Sequence, residues 1–261
     1  CEIFYAMKAN NHPAILTALS KEGYGLDVSS SDELRIAMSF NPHKILYSGP
    51  GKSSEDLEYA LQHGDKITIN IDSFSELKKI GALSSRMKKK ISVGVRVFFP
   101  FQGTWSKFGI PLNDLRAFWD KAASFPFLSL EGVHFHCSWM NDTHVYKQAI
   151  EVLTDYLYGN FSKEDLLKIK FIDFGGGFFP SNSEGYYPWT YYYQWTSPQG
   201  ALITLANRHS GKKTTFEDKY YLTPSVPLER YAEDIGREIR KKCGALKNCS
   251  FYTEPGRIIA T

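Results

Sequence analysis

The chain has 261 residues, 43% hydrophobic and 23% charged, a balance that excludes a disordered chain and can fill one or two domains, or one α/β barrel of about 250 residues. Lys and Arg number 31 against 28 Asp and Glu, and this surplus of +3 is too small and dispersed to imply a nucleic-acid or membrane partner. Cys1, Cys137, Cys243 and Cys249 form no CxxC pair, which excludes a disulfide scaffold and makes a reduced, cytoplasmic compartment the expectation.

Cys1-Glu2-Ile3-Phe4-Tyr5 already reads as a strand, and Ile258-Ile259-Ala260-Thr261 stops inside an apolar segment, so a piece of a larger protein is expected. Short β-branched or aromatic runs predict strands at Ile3–Met7, Gly25–Val28, Lys44–Tyr47, Ile67–Ile71, Ile91–Phe98, Leu130–His136, Ile169–Phe174 and Phe251–Glu254. The apolar run 91–101 is broken by Arg96 and is too short to span a bilayer. Helical patterns lie between the strands. Asn11-His12-Pro13 opens the first and Gly23 closes it. Ser31-Asp32-Glu33-Leu34 and Ser53-Ser54-Glu55-Asp56-Leu57 place acidic residues in a first turn, where the helix dipole favours them. Ser73-Phe74-Ser75-Glu76 has the spacing of a capping box.

Eight strands alternating with helices require crossover connections and hence a parallel sheet. The expected fold is a (β/α)8 TIM-like barrel over residues 1–261, with an open doubly wound sheet as the alternative. Residues 178–224 interrupt the rhythm as an aromatic-rich insertion containing Tyr186-Tyr187-Pro188-Trp189-Thr190-Tyr191-Tyr192-Tyr193-Gln194-Trp195. It reads either as a loop folded over apolar surface or as a lid or subunit contact.

A barrel carries its active site at the C-terminal ends of its strands. The polar residues there are Lys8, Asp27 with Ser29, Ser48, Asp72 with Ser73, Arg96, His134 with His136, Gly175-Gly176-Gly177, and Glu254 with Arg257. Lys8 follows Tyr5-Ala6-Met7, and a partly desolvated lysine at a barrel mouth is a nucleophile suited to a Schiff base with an aldehyde. Three consecutive glycines after the seventh strand let backbone N–H groups approach an anion, and Arg257 adds a bidentate charge. Glu254 suits a protonated ring nitrogen and His136 a planar ring face, whereas His134 reads as a hydrogen-bonded structural residue. Amine, anion cradle and ring-nitrogen carboxylate together describe pyridoxal 5′-phosphate. Metal chemistry is not expected, because HExxH, CxxC and EF-hand spacings are absent, and no GxGxxG opens a helix.

These motifs resemble the fold-type III pyridoxal-phosphate-dependent decarboxylases, the diaminopimelate and ornithine decarboxylases among them. Tyr5-Ala6-Met7-Lys8-Ala9-Asn10 resembles the segment of the Schiff-base lysine, and Val133-His134-Phe135-His136 the segment whose second histidine stacks on the cofactor. Ile172-Asp173-Phe174-Gly175-Gly176-Gly177-Phe178 resembles the phosphate loop, and Glu254-Pro255-Gly256-Arg257 the EPGR signature. Asn70-Ile71-Asp72-Ser73 and Lys107-Phe108-Gly109 are similar to the diaminopimelate branch. The resemblance implies a barrel of the alanine racemase kind, decarboxylation of a basic or dicarboxylic amino acid, and a homodimer with shared active sites. Lys8, Asp27, Arg96, His136, Ser138, Gly175, Gly176, Gly177, Glu254 and Arg257 are its candidate cofactor contacts, with Lys8, His136 and Glu254 catalytic.

Two departures stand out. In His136-Cys137-Ser138-Trp139 the serine comes one position early, with Trp139 in its usual place, and the C-terminal β-domain of the family has no counterpart up to Thr261. The rival readings are an amino-acid racemase on the same barrel, disfavoured by a carboxylate at Glu254 where racemases tend to have arginine, and a catalytically silent cofactor-binding relative.

Overall fold

The computed structural model describes residues 1–101, 107–137, 140–180, 184–185, 221–222 and 225–260. Eight parallel strands close on themselves: β1 (Glu2–Ala6), β2 (Gly25–Val28), β3 (Ile45–Tyr47), β4 (Ile67–Ile71), β5 (Ile91–Phe98), β6 (Leu128–His134), β7 (Phe171–Asp173) and β8 (Ser250–Thr253). Each pairs with its sequence neighbours, β8 with β1 and β4 with β5 included, so the barrel is expected and observed, and the open sheet is not. β6 and β7 end earlier than the apolar pattern predicts. Beyond Asp173 the chain turns at Gly175, whose φ of +64 leaves the extended region.

Helices α1 (Pro13–Lys21), α2 (Ser31–Ser39), α3 (Ser54–Gln62), α4 (Phe74–Met87), α5 (Leu115–Ala123), α6 (His144–Asn160), α7 (Lys163–Lys168) and α8 (Leu228–Lys242) connect the strands. The start signals act as their chemistry dictates. Ser30, Ser53 and Ser73 accept backbone N–H groups three residues on, and Asp56 completes a reciprocal box with Ser53. At α4 the reciprocal half is diverted. Glu76 instead accepts the Asp72 N–H at 3.1 Å and pairs at 2.8 Å with the buried Lys52, which also donates to the Asn70 carbonyl.

Side chains alternate along a strand, so residues two apart share a face. The outward set (Tyr5, Leu26, Ile45, Ile69, Val93, Val133, Ile172) packs beneath the helices in the main core. Inside, Phe4, Leu46, Phe171 and Tyr252 form a separate apolar cluster. It closes because Gly25, Gly94 and Gly132 yield their space: a Cβ on Gly132 would stand 2.1 Å from the Phe171 ring. Two positions further along each strand come Ala6, Asp27, Ser48, Asn70, Arg96, His134, Asp173 and Glu254. The barrel is thus floored by apolar side chains and topped by polar ones.

Of residues 178–224, the described portion is Phe178–Pro180 and a short antiparallel pair, Glu184–Gly185 with Tyr221–Leu222. The aromatic run 186–195 lies outside the described residues, as does Ser138 with Trp139. Among the described residues no disulfide joins any of the four cysteines. Among the described residues no helix is long and apolar enough to cross a membrane.

Gly132→Ala forces a methyl group into the Phe171 ring and should lower stability by about 1–3 kcal/mol. Urea unfolding should show Gly132→Ala with Phe171→Leu losing less than the two single changes summed, and strict additivity would refute this account of the floor.

Candidate functional site

Above the floor a cavity of about 460 Å³ opens at the C-terminal ends of the strands, lined by Ala6, Lys8, Ala9, His136, Gly177, Phe178, Glu254, Gly256, Arg257 and Ala260. Lys8 lies on a single 3-10 turn, Met7–Ala9, immediately after β1. That turn is held from two sides. The Ala6 N–H donates to the Pro255 carbonyl at 3.1 Å, and the Tyr5 hydroxyl reaches the Asn10 carbonyl at 2.9 Å. Gly256 permits the contact, since a Cβ there would sit 3.0 Å from that of Ala9. The lysine and the Glu254–Arg257 segment are therefore packed together although 246 residues separate Lys8 from Glu254 in sequence. Lys8 is exposed at the mouth, not partly desolvated as its apolar sequence neighbours suggest, because the 3-10 turn lifts it clear of the barrel wall.

Glu254 is buried directly beneath. Its Oε1 accepts the Ser48 hydroxyl at 3.0 Å and stands 3.6 Å from His134 Nε2, and its Oε2 stands 3.4 Å from His136 Nδ1. Burial works against a charge on Glu254, yet its place beside His134, His136 and Lys8 holds it well below the usual carboxylate range. The same burial pushes His134 down to about 3 and lowers His136. His136 Nδ1 also accepts the Gly176 N–H at 3.2 Å.

Two further carboxyls share this layer. Burial and the charge of Glu254 raise Asp27 to about 8, and the same two causes raise Asp173. Neither Asp27 oxygen makes a hydrogen bond. Asp173 accepts the Gly175 N–H at 2.9 Å and faces the Asn70 amide at 3.4 Å, and that amide also donates to Ser48. Arg96 stands 3.9 Å from Asp72, with its guanidinium over the Phe108 ring.

Lys8, His136, Gly177, Glu254 and Arg257 thus meet at one cavity. Asp27, Arg96, Gly175 and Gly176 do not line it, and Ser138 is outside the described residues. His134 corrects the expectation of a hydrogen-bonded structural residue: both its ring nitrogens lack a hydrogen bond, and Nε2 points at the Glu254 carboxylate. His134, His136 and Glu254 bring donor atoms within 4.8 Å of one another, a grouping that motif spacing cannot reveal across so long a separation. Asp173 and Asn70 are polar members of the site that sequence reasoning passed over. Both occupy inward positions two residues beyond Phe171 and Thr68, and counting by twos from the floor would have found them.

The donor set fits pyridoxal phosphate. The cavity falls within the ~300–1,000 Å³ usual for small-molecule sites and offers one amine, one guanidinium, one buried carboxylate and an imidazole. The glycine turn packs too closely on neighbouring main chain to carry side chains. A Cβ on Gly175 would lie 2.7 Å from the Phe135 carbonyl oxygen and one on Gly176 2.1 Å from that of Glu254.

Comparison with known proteins agrees with this chemistry. Residues 1–196 match the family model described as pyridoxal-dependent decarboxylase, pyridoxal binding domain. The chain is 33% identical over 162 residues to diaminopimelate decarboxylase of Zymomonas mobilis, a match covering 57% of this chain and 38% of that protein. It is 31% identical over 186 residues to the enzyme of the same name from Methanothermobacter thermautotrophicus, covering 67% and 42%. The matches therefore span less than half the length of these relatives. The solved structure of diaminopimelate decarboxylase from Helicobacter pylori complexed with L-lysine superposes with a TM-score of 0.71 at 24% identity, over 99% of this chain and 57% of that one, a likeness of fold. Since the family model takes in 196 of 261 residues, the chain belongs to the pyridoxal-dependent decarboxylases and carries their pyridoxal binding domain.

Proposed function

We propose that residues 1–261 form the cofactor-holding barrel, with 178–224 inserted in it, of an enzyme that decarboxylates a basic or dicarboxylic amino acid and works as a homodimer with shared active sites. The observation that carries this reading is the convergence of Lys8, His136, Gly177, Glu254 and Arg257 on one cavity. The relatives with matching sequences act on diaminopimelate, as their names state, which favours a substrate with two charged ends.

When bound, pyridoxal phosphate supplies an electron sink for the pair of electrons released as CO2 departs. Lys8 Nζ would be the amine that holds the aldehyde carbon, and its exposure leaves that amine reachable from the mouth. Gly177 and the Arg257 guanidinium, which line the cavity, would hold the phosphate, while the Gly175 and Gly176 N–H groups are committed to Asp173 and His136 and shape the turn. Glu254 is the buried carboxylate that keeps a proton on the ring nitrogen, and Ser48 orients it through Oε1. His136, fixed by the Gly176 N–H, would contact the ring. Asp27 and Arg96, which do not line the cavity, act by setting the charge of the layer. A racemase on this barrel is the weaker reading, because a buried carboxylate at position 254 favours the protonated ring that draws electrons most strongly.

Three outcomes test these roles. Borohydride should fix pyridoxal phosphate covalently to the protein and not to Lys8→Ala, as read by mass, and CO2 release from a panel of basic and dicarboxylic amino acids should be lost with it. Glu254→Ala should lower kcat by about a hundredfold, the scale of removing one preorganised group, with KM changed far less. Asp27 supplies a pH test. Its folded value, about 8, exceeds the ordinary 3.8, so native Asp27 keeps a proton that the unfolded chain gives up, and that stabilisation is lost as pH rises from 3.8 through about 8. Asp27→Asn stays neutral throughout. Its Tm advantage over the cofactor-free parent should grow across that window and level off above it, and parallel Tm curves would refute the assignment.

A further inference from the structure

We propose that Tyr146 and Tyr231, on neighbouring helices outside the barrel wall, are positioning residues for the anion-binding glycine turn. The proposal rests on the reading above, in which that turn holds the phosphate. Gly176 is the pivot. Its N–H donates to His136 Nδ1 at 3.2 Å, its bare Cα accommodates the Glu254 carbonyl, and its own carbonyl accepts the Tyr146 hydroxyl at 2.8 Å. Tyr146 is fully buried on α6, and its ring stacks on Phe178 with centroids 5.1 Å apart and planes 21° from parallel.

Tyr231, buried on α8, holds the adjoining segment. Its hydroxyl donates to the Met140 carbonyl at 2.7 Å, and its ring meets Phe178 edge-on at 5.2 Å and Tyr146 at 6.2 Å. Met140 in turn pairs with the glycine segment: its N–H reaches the Gly177 carbonyl at 3.2 Å, and its carbonyl receives the Phe179 N–H at 3.3 Å. The helix pair α6 and α8 therefore grips both chains that border the cradle, one carbonyl each.

A glycine turn has little stiffness of its own. Gly175 and Gly177, at φ +64 and +93, adopt a conformation they can also leave cheaply. Two hydroxyls bonded to backbone carbonyls supply rigidity from outside: releasing Tyr146 would leave the buried Gly176 carbonyl without its donor, and releasing Tyr231 would leave the Met140 carbonyl held by the Phe179 N–H alone. Neither tyrosine lines the cavity, so both act through the loop.

The test uses the intact protein stripped of cofactor and titrated with pyridoxal phosphate and with pyridoxal, which has the same ring and aldehyde but no phosphate. Tyr146→Phe and Tyr231→Phe should each raise the Kd for pyridoxal phosphate about tenfold and that for pyridoxal less than about twofold. Thr154→Val removes another buried hydroxyl from α6, one bonded to the Ile150 and Glu151 carbonyls of its own helix, and should change neither. Equal losses for both ligands, or no loss for the phosphate, would overturn the proposal. Should Tyr146→Phe fail to fold, Tyr231→Phe decides alone through its separate carbonyl. Absence of pyridoxal phosphate binding by the unsubstituted protein would overturn the reading of the turn itself, and this proposal with it.

Discussion

Charged side chains that point into a closed barrel have little water to fall back on and must satisfy one another. That constraint organises this chain. The Phe4, Leu46, Phe171 and Tyr252 layer seals the interior halfway along, so the groups above it face only each other and the mouth. Below the seal the same rule applies: Lys44 donates to the Tyr252 hydroxyl at 2.6 Å and rests on that ring, and Glu131 takes the Ser92 and Ser129 hydroxyls. Polar chemistry at the top is possible because an apolar partition isolates it.

Within the upper layer, the distribution of protons follows from crowding. Asp27, Asp173 and Glu254 cannot all ionise in one buried space. Glu254 keeps its charge because Ser48, His134, His136 and Lys8 surround it, and its neighbours stay protonated as a result. One anion is thereby concentrated at the centre of the barrel.

Much of this was legible in the sequence. The strand and helix alternation, the serine caps and the order of Lys8, His136, the glycines and Glu254 are local signals, and the closed barrel brings them together. What stayed hidden is what the third dimension creates. The exposure of Lys8 comes from a turn packed on Gly256, and the orphaned nitrogens of His134 come from burial beside a residue 120 positions away. The diverted capping box at Glu76 shows the same limit, because its spacing is right but Lys52, folded in from the preceding loop, outcompetes the helix terminus.

The backbone link between the glycine turn and Glu254 has one more implication. The Glu254 N–H donates to the Gly175 carbonyl at 2.8 Å, and Gly176 packs against the Glu254 carbonyl, so the two contact points ride on adjacent, directly bonded main chains. The two main chains are therefore coupled, and a shift of the turn carries the Glu254 backbone with it.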